Sequence, residues 1–203
     1  MKGSLIIIAF FVLGIVVGLQ SSTFNFQFST FNFQSSTFIL YALMFCVGIS
    51  IGSDTTTLKS FRGVNPRLMM LPVMTIVGTL AGTTAASAFL PHRHLFDCLA
   101  IGSGFGYYSL SSIFITEYKG AELGTIALLS NIMREIITLL CAPLLVRYFG
   151  KLAPISMGGA TTMDTTLPII TRTSGQDYVI VSIFHGFCVD FSVPFLVTFF
   201  CSI

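Results

Sequence analysis

The chain alternates between apolar runs and short polar or glycine-rich stretches. Leu5–Leu19, Thr37–Gly52, Leu68–Leu90, Ala121–Val146 and Tyr178–Cys201 are almost wholly apolar. About 20 such residues cross the ~30 Å hydrocarbon core of a bilayer as a helix, fewer at a pinch, so these five runs are predicted as transmembrane helices. Leu5–Leu19 follows Lys2 as the core of a signal peptide would, but no A-x-A-like site comes after it, and it reads as a retained span.

Two further apolar stretches are interrupted in the middle, where a plain span is greasiest. Leu95–Thr116 carries Gly102-Ser-Gly-Phe-Gly-Tyr-Tyr-Ser-Leu-Ser-Ser112, and Pro154–Thr171 carries Gly158-Gly-Ala-Thr-Thr-Met-Asp-Thr-Thr-Leu-Pro168. Irregular backbone at membrane depth is tolerated only inside protein or beside water. A limb of ten helical residues rises ~15 Å, enough to reach the midplane and turn back. Lys59, Arg62 and Arg67 form the densest basic loop and Arg147 and Lys151 the next, so both are predicted on the cytoplasmic side. With Leu90 outside, 95–117 then dips in from outside and 154–172 from inside. The expected fold is an all-α polytopic membrane protein of about five transmembrane helices plus two broken, re-entrant segments. The N-terminus lies in the cytoplasm and the C-terminus outside. Seven full spans is the rival arrangement.

A weak internal repeat runs through the second part. Gly104, Ser109, Ile115, Thr116 and Gly120 match Gly159, Asp164, Ile170, Thr171 and Gly175 at an offset of 55, and Pro143–Val146 matches Pro194–Val197 at an offset of 51. Each unit has one net crossing, so the copies are inverted. Inverted repeats with paired breaks point to a transporter whose site lies between the breaks. Residues 1–94 are read as a three-span module with an outer loop at 20–37, and 95–203 as the inverted pair that carries the site. Within the loop, Ser22–Phe28 recurs nearly unchanged as Ser29–Ser35. Gly14/Gly18, Gly48/Gly52 and Gly78/Gly82 have the Gly-x-x-x-Gly spacing that lets helices pack closely in lipid.

Composition agrees: 54% of residues are hydrophobic, 9% are charged and the net charge is +2. That excludes nucleic-acid binding by bulk charge, which needs clustered cations, and a disordered chain. Cys46, Cys98, Cys141, Cys188 and Cys201 show no C-x-x-C spacing and read as buried thiols, with no metal or cofactor implied.

Charge inside the predicted membrane segments is costly, about 2.5–3.5 kcal/mol for a central residue on insertion scales. Asp164 stands among hydroxyls at the second break and is the first candidate for ion or substrate binding, the alternative being a half-helix cap. Asn131, Arg134 and Glu135 share one helix flank. Arg134 is free to pair with a carboxylate such as Asp164, or to bind substrate. His185 is a candidate proton relay, or a satisfied neutral histidine, and Asp190 a second proton carrier. Tyr107-Tyr108 could close over a cation. Ser103, Gly104, Tyr108, Ser109, Thr162 and Thr165 line the two breaks and complete the candidate site.

Ser103-Gly-Phe-Gly-Tyr-Tyr-Ser-Leu-Ser111, Thr116-Glu117, Arg134-Glu135, Gly158–Pro168, Arg172 and His185-Gly186 together resemble the lysine exporter (LysO) family over about residues 38–202. The resemblance implies export of L-lysine, or a related basic amino acid, across the bacterial inner membrane, coupled to H⁺ or Na⁺. It matches an acidic intramembrane residue to Asp164. Some members carry Asp at the position of Asn131, and asparagine cannot carry a proton. Family members run to about 300 residues and begin with three more spans, which implies a split carrier completed by a small three-span partner, or else a homodimer. Lysine offers two ammonium groups and one carboxylate; acidic residues suit the first, and Arg134 or a helix N-terminus the second.

Two rivals remain. Gly104-Phe-Gly106 on a re-entrant segment suggests a channel filter, but Gly102-Ser103 replaces the Thr-Val of potassium filters. An enzyme would need a motif such as H-E-x-x-H, which the sequence lacks.

Overall fold

The computed structural model describes residues 66–90 and 93–203, all within the compact unit Ile49–Ile203. The spans expected at Leu5–Leu19 and Thr37–Gly52, the repeat of loop 20–37, and Lys59 and Arg62 lie outside the described residues.

Every regular element among the described residues is helical. Helix α1 is Pro66–Met69, α2 Leu71–Ser87, α3 Leu95–Gly102, α4 Tyr108–Lys119 and α5 Ala121–Phe149. Helix α6, Ala153–Gly158, runs into a 3-10 turn, Gly159–Met163, before α7, Leu167–Ser174. A second 3-10 turn, Gln176–Tyr178, leads into α8, Val179–Cys201.

Among the described residues, two segments, Ala121–Phe149 and Gln176–Cys201, are long and apolar enough to cross a membrane. Their outward faces are greasy. Leu129, Met133, Leu140 and Leu144 are exposed on α5, as are Phe191, Phe195 and Phe199 on α8. An apolar exposed face of this extent suits lipid rather than water. Helix α2 has 17 residues and, at ~1.5 Å per residue, is a little short of a full hydrocarbon core.

The first break is shorter than the sequence predicts. It spans Ser103–Tyr107, and α4 already begins at Tyr108. The serines expected to prolong it are absorbed into the helix: Ser111 Oγ donates to Tyr107 O at 2.8 Å and Ser112 Oγ to Ser109 O at 3.2 Å. The second break is also a little shorter than the predicted Gly158–Pro168: Gly158 ends α6, the break runs from Gly159 to Thr166, and Pro168 lies in the first turn of α7.

Each broken pair of helices is closed at its own base. Lys119 at the end of α4 pairs with Asp97 at the start of α3, 3.5 Å apart. Ser174 Oγ at the end of α7 donates to Lys151 O, just before α6, at 2.8 Å. Lys119 directly precedes α5 and Lys151 directly follows it, so the two bases lie at opposite ends of this long helix. Beside the second base, Ile155, Ile170 and Val181 form a core with Leu71, Leu152 and Tyr178 packed against it. Beside the first, Arg93 pairs with Glu122, whose carboxylate holds the guanidinium above its ordinary pKa.

Among the described residues, close approach falls on glycines other than the Gly78/Gly82 pair. A Cβ at Gly102 would stand 2.4 Å from Thr83 Oγ1, and one at Gly124 1.8 Å from Thr116 Oγ1. Gly78 and Gly82 have no described atom within 4 Å of such a Cβ. Gly14, Gly18, Gly48 and Gly52 lie outside the described residues.

Candidate functional site

Both breaks lack the i→i−4 bonding of a helix, so their backbone groups need other partners. At the first break Asn131 of α5 supplies them. Its Oδ1 accepts from the Gly106 N–H at 2.8 Å, and its Nδ2 donates to Ala127 O at 2.9 Å and Ile101 O at 3.2 Å. A side chain at Gly104 would displace this amide, because its Cβ would stand 2.5 Å from Asn131 Nδ2. Ser103, also fully buried, donates to Leu99 O at 2.7 Å.

Threonines and a histidine do the same work at the second break. Thr161 Oγ1 donates to Gly158 O at 2.9 Å and lies 3.2 Å from Thr166 Oγ1. Thr162 Oγ1 reaches Gly159 O at 2.8 Å, Ser182 O at 2.9 Å and His185 Nδ1 at 3.2 Å. His185 Nε2 lies 2.9 Å from Thr75 Oγ1 of α2, itself 2.8 Å from Ser156 Oγ of α6.

The two breaks meet backbone to backbone. The Ala160 N–H donates to Phe105 O at 3.0 Å. Gly159, with φ +62°, makes the approach possible; a Cβ there would fall 2.2 Å from Phe105 O. Phe105 is fully buried and itself adopts φ 45°, an uncommon conformation for a side chain of this size.

Arg134 does not pair with Asp164. Its Nε donates to Met157 O at 2.8 Å and its Nη2 to Ser156 O at 3.2 Å, at the C-terminal end of α6. There a cation complements the free carbonyls and the helix dipole. The guanidinium also lies 5.8 Å from the Phe105 ring centroid and lines a cleft of about 490 Å³ with Thr75, Thr79 and Ser156. Arg134 thus touches the helix leading into one break and the residue at the heart of the other.

Asp164 sits elsewhere. It is exposed at the end of the 3-10 turn, where its Oδ1 accepts from the Thr165 N–H. A Cβ at Gly186, one turn before Asp190, would stand 2.7 Å from Met163 N, and one at Gly106, next to Tyr107, 3.4 Å from Thr161 Cγ2, so α8 and the first break both close on the turn that ends at Asp164. The three groups therefore share one neighbourhood, drawn from both breaks and from α8. Asp190 is only 7% exposed, and no described residue hydrogen-bonds its carboxylate. Pro194, one turn on, has no N–H to give to the Asp190 carbonyl. Tyr108 is half-buried at the start of α4, and Ser109 and Thr165 are exposed. Glu135 is half-buried and makes no hydrogen bond or ion pair with the described residues.

Apart from Glu135, Tyr108, Ser109 and Thr165, the sequence-predicted residues thus divide into two groups. Asn131, Arg134, Ser103, Gly104, Thr162 and His185 bind or accommodate the backbone around the breaks. Asp164 and Asp190 gather beside them with Tyr107. Thr75, Thr79 and Ser156 were not singled out by sequence. Hydroxyl residues in apolar helices are common, and only the fold brings these three to Arg134 and His185.

The lysine exporter LysO family profile matches residues 8–201. Lysine exporter LysO of Escherichia coli (strain K12) is 39% identical over 161 residues, which is 79% of this chain and 53% of that protein. A putative lysine exporter of Haemophilus influenzae (strain ATCC 51907 / DSM 11121 / KW20 / Rd) is 35% identical over 164 residues, covering 81% of this chain and 83% of that protein. The chain spans about half the length of the Escherichia coli relative. No solved structure matches the fold. By the length of the match and these identities, the chain belongs to the lysine exporter LysO family.

Proposed function

We propose that the chain is the core of a secondary carrier that exports L-lysine or a related basic amino acid, rather than a channel or an enzyme. The observation that carries this reading is the meeting of the two breaks at Phe105 and Ala160 with Asp164, Asp190 and Tyr107 alongside. Two carboxylates and an aromatic ring suit an ammonium group. A coupling cation, H⁺ or Na⁺, competes for the same carboxylates, so only one of the two occupies the site at a time. That competition is antiport in its simplest form. Ser109, Thr165 and Tyr108, at the starts of α7 and α4 or just before them, supply further polar contacts. Glu135 is a reserve carboxylate on the α5 flank.

The architecture that fits this reading is an inverted pair of re-entrant hairpins. Phe105 and Ala160 differ by 160 − 105 = 55 positions, the offset at which the two segments align in sequence. Lys119 and Ser174, which close the two bases, differ by 174 − 119 = 55 as well. A contact between equivalent residues is what a pseudo-twofold axis produces. The hairpins enter from opposite faces and touch near the midplane, and rocking one against the other alternates access. With the basic loops inside, the chain lies in the bacterial inner membrane with its N-terminus cytoplasmic and its C-terminus outside.

Labelled-lysine counterflow in proteoliposomes tests this, with wild type and Asp164→Asn. Counterflow that is lost in Asp164→Asn is the expected result. Folded protein that moves no lysine overturns the substrate.

A further inference from the structure

His185 is the one histidine inside a membrane-depth helix, and the transport step proposed above does not use it. It is fully buried, and its two ring nitrogens face different elements. Toward the second break, Nδ1 lies 3.2 Å from Thr162 Oγ1. Toward α2, Nε2 lies 2.9 Å from Thr75 Oγ1.

The direction of each bond follows from what its partner can do. Gly159 O and Ser182 O, at 2.8 and 2.9 Å from Thr162 Oγ1, can only accept. The single Thr162 proton therefore goes to a carbonyl, and its oxygen is left with lone pairs toward His185. Two lone pairs facing each other repel, so Nδ1 carries the hydrogen. The groups around the ring oppose a second one. Thr162, Gly159, Thr75 and Ser156 are neutral. Arg134 of α5 stands on Ser156, its Nη2 donating to Ser156 O at 3.2 Å, and no described carboxylate hydrogen-bonds the ring. Nε2 is therefore bare and accepts from Thr75, which accepts from Ser156 at 2.8 Å.

We infer that His185 is a positioning residue, held as the Nδ1–H tautomer, which pins the second break to α2 and so sets the place of Asp164. The hydrogen bonds run one way, from Ser156 through Thr75 and His185 to Thr162 and Gly159. They tie α2, α6, the 3-10 turn and α8 together at a point where helical bonding is interrupted. Asp164 is two residues beyond Thr162 on the same turn. Its relation to Asp190 depends on where that turn is held.

The test uses the full chain, reconstituted and ¹⁵N-labelled at histidine, with His92→Gln and His94→Gln so that only His185 reports. Solid-state NMR at neutral pH is expected to show a protonated Nδ1 and a bare Nε2. Thr75→Val is expected to shift the Nε2 resonance while Nδ1 stays. An Nε2–H tautomer or an imidazolium overturns the inference. The transport arm rests on the carrier reading. His185→Asn places an amide near the Nδ1 position and gives up Thr75, and His185→Gln reaches the Nε2 position and gives up Thr162. Each cuts the link between the break and α2 and is expected to raise the counterflow KM about tenfold, the scale of one lost buried hydrogen bond. Thr75→Val, which cuts the same link from α2, is expected to do the same. An unchanged KM in Thr75→Val overturns the positioning role. If the unmodified chain moves no lysine, the carrier reading fails, while the NMR spectrum still decides the tautomer and its dependence on Thr75.

Discussion

The carbonyl of Phe105 and the N–H of Ala160 are joined by a 3.0 Å hydrogen bond, the direct link between the two breaks. Only backbone atoms take part, so the neighbouring glycines, rather than Phe105 or Ala160, decide whether it forms. Gly159→Ala would put a methyl group 2.2 Å from the Phe105 oxygen at φ +62°. Gly120→Ala carries a similar backbone strain at φ +93° with no described atom within 4 Å. Melting of detergent-solubilised protein should therefore separate the two. Gly120→Ala is expected to cost about 1–2 kcal/mol from the left-handed backbone alone, and Gly159→Ala more, with loss of transport.

Asn131 is a second such determinant. Its amide donates twice and accepts once, to Ala127, Ile101 and Gly106. Asn131→Asp turns a donor into a carboxylate oxygen facing two carbonyls. About 0.5–1.5 kcal/mol of stability should go with each hydrogen bond lost, and repulsion between carboxylate and carbonyl oxygens adds to it. Asn131→Asp should melt below Asn131→Ala, which merely removes the groups; the reverse order would show that the amide donors are not used.

Arg134 reads as a strut for the end of α6. Arg134→Lys keeps the charge but loses the fork that holds Met157 O and Ser156 O together. The expected loss is about 1–2 kcal/mol, one charge-assisted hydrogen bond. A lysine variant as stable as wild type would show that charge alone is needed there.

Asp164 and Asp190 should be coupled, since they share a neighbourhood with Tyr107. In a double-mutant cycle of Asp164→Asn and Asp190→Asn, lysine KM should change non-additively, by at least ~0.5 kcal/mol of interaction. Strict additivity would place the two carboxylates in separate sites.

Much of this was legible in the sequence because it is written in side chains. Long apolar runs mark α5 and α8, and Gly120, Gly150 and Gly175 stand where α4, α5 and α7 end. The paired breaks are visible as polar, glycine-rich interruptions, and Asp164 and Asp190 stand out against their apolar surroundings. What was not legible involves the main chain. Every residue has a carbonyl, so nothing marks Phe105 O as the acceptor at the meeting point. For the same reason Arg134 looked like half of an ion pair with Asp164, when its partners are Met157 O and Ser156 O. The length of the first break was overread, because serines that bond back to their own helix look in sequence like serines that interrupt one.

The two bases of the broken segments are built from different chemistry, and they will answer differently to ionic strength. One is closed by Asp97 and Lys119, with the exposed Arg93–Glu122 pair beside it. Salt weakens such pairs, most of all the exposed one. The other is closed by a hydroxyl and a carbonyl, Ser174 and Lys151, on which salt has no comparable hold. Salt added to both sides of a membrane therefore loosens one end of the molecule and leaves the other closed, so a symmetric change of medium acts on the protein with a direction.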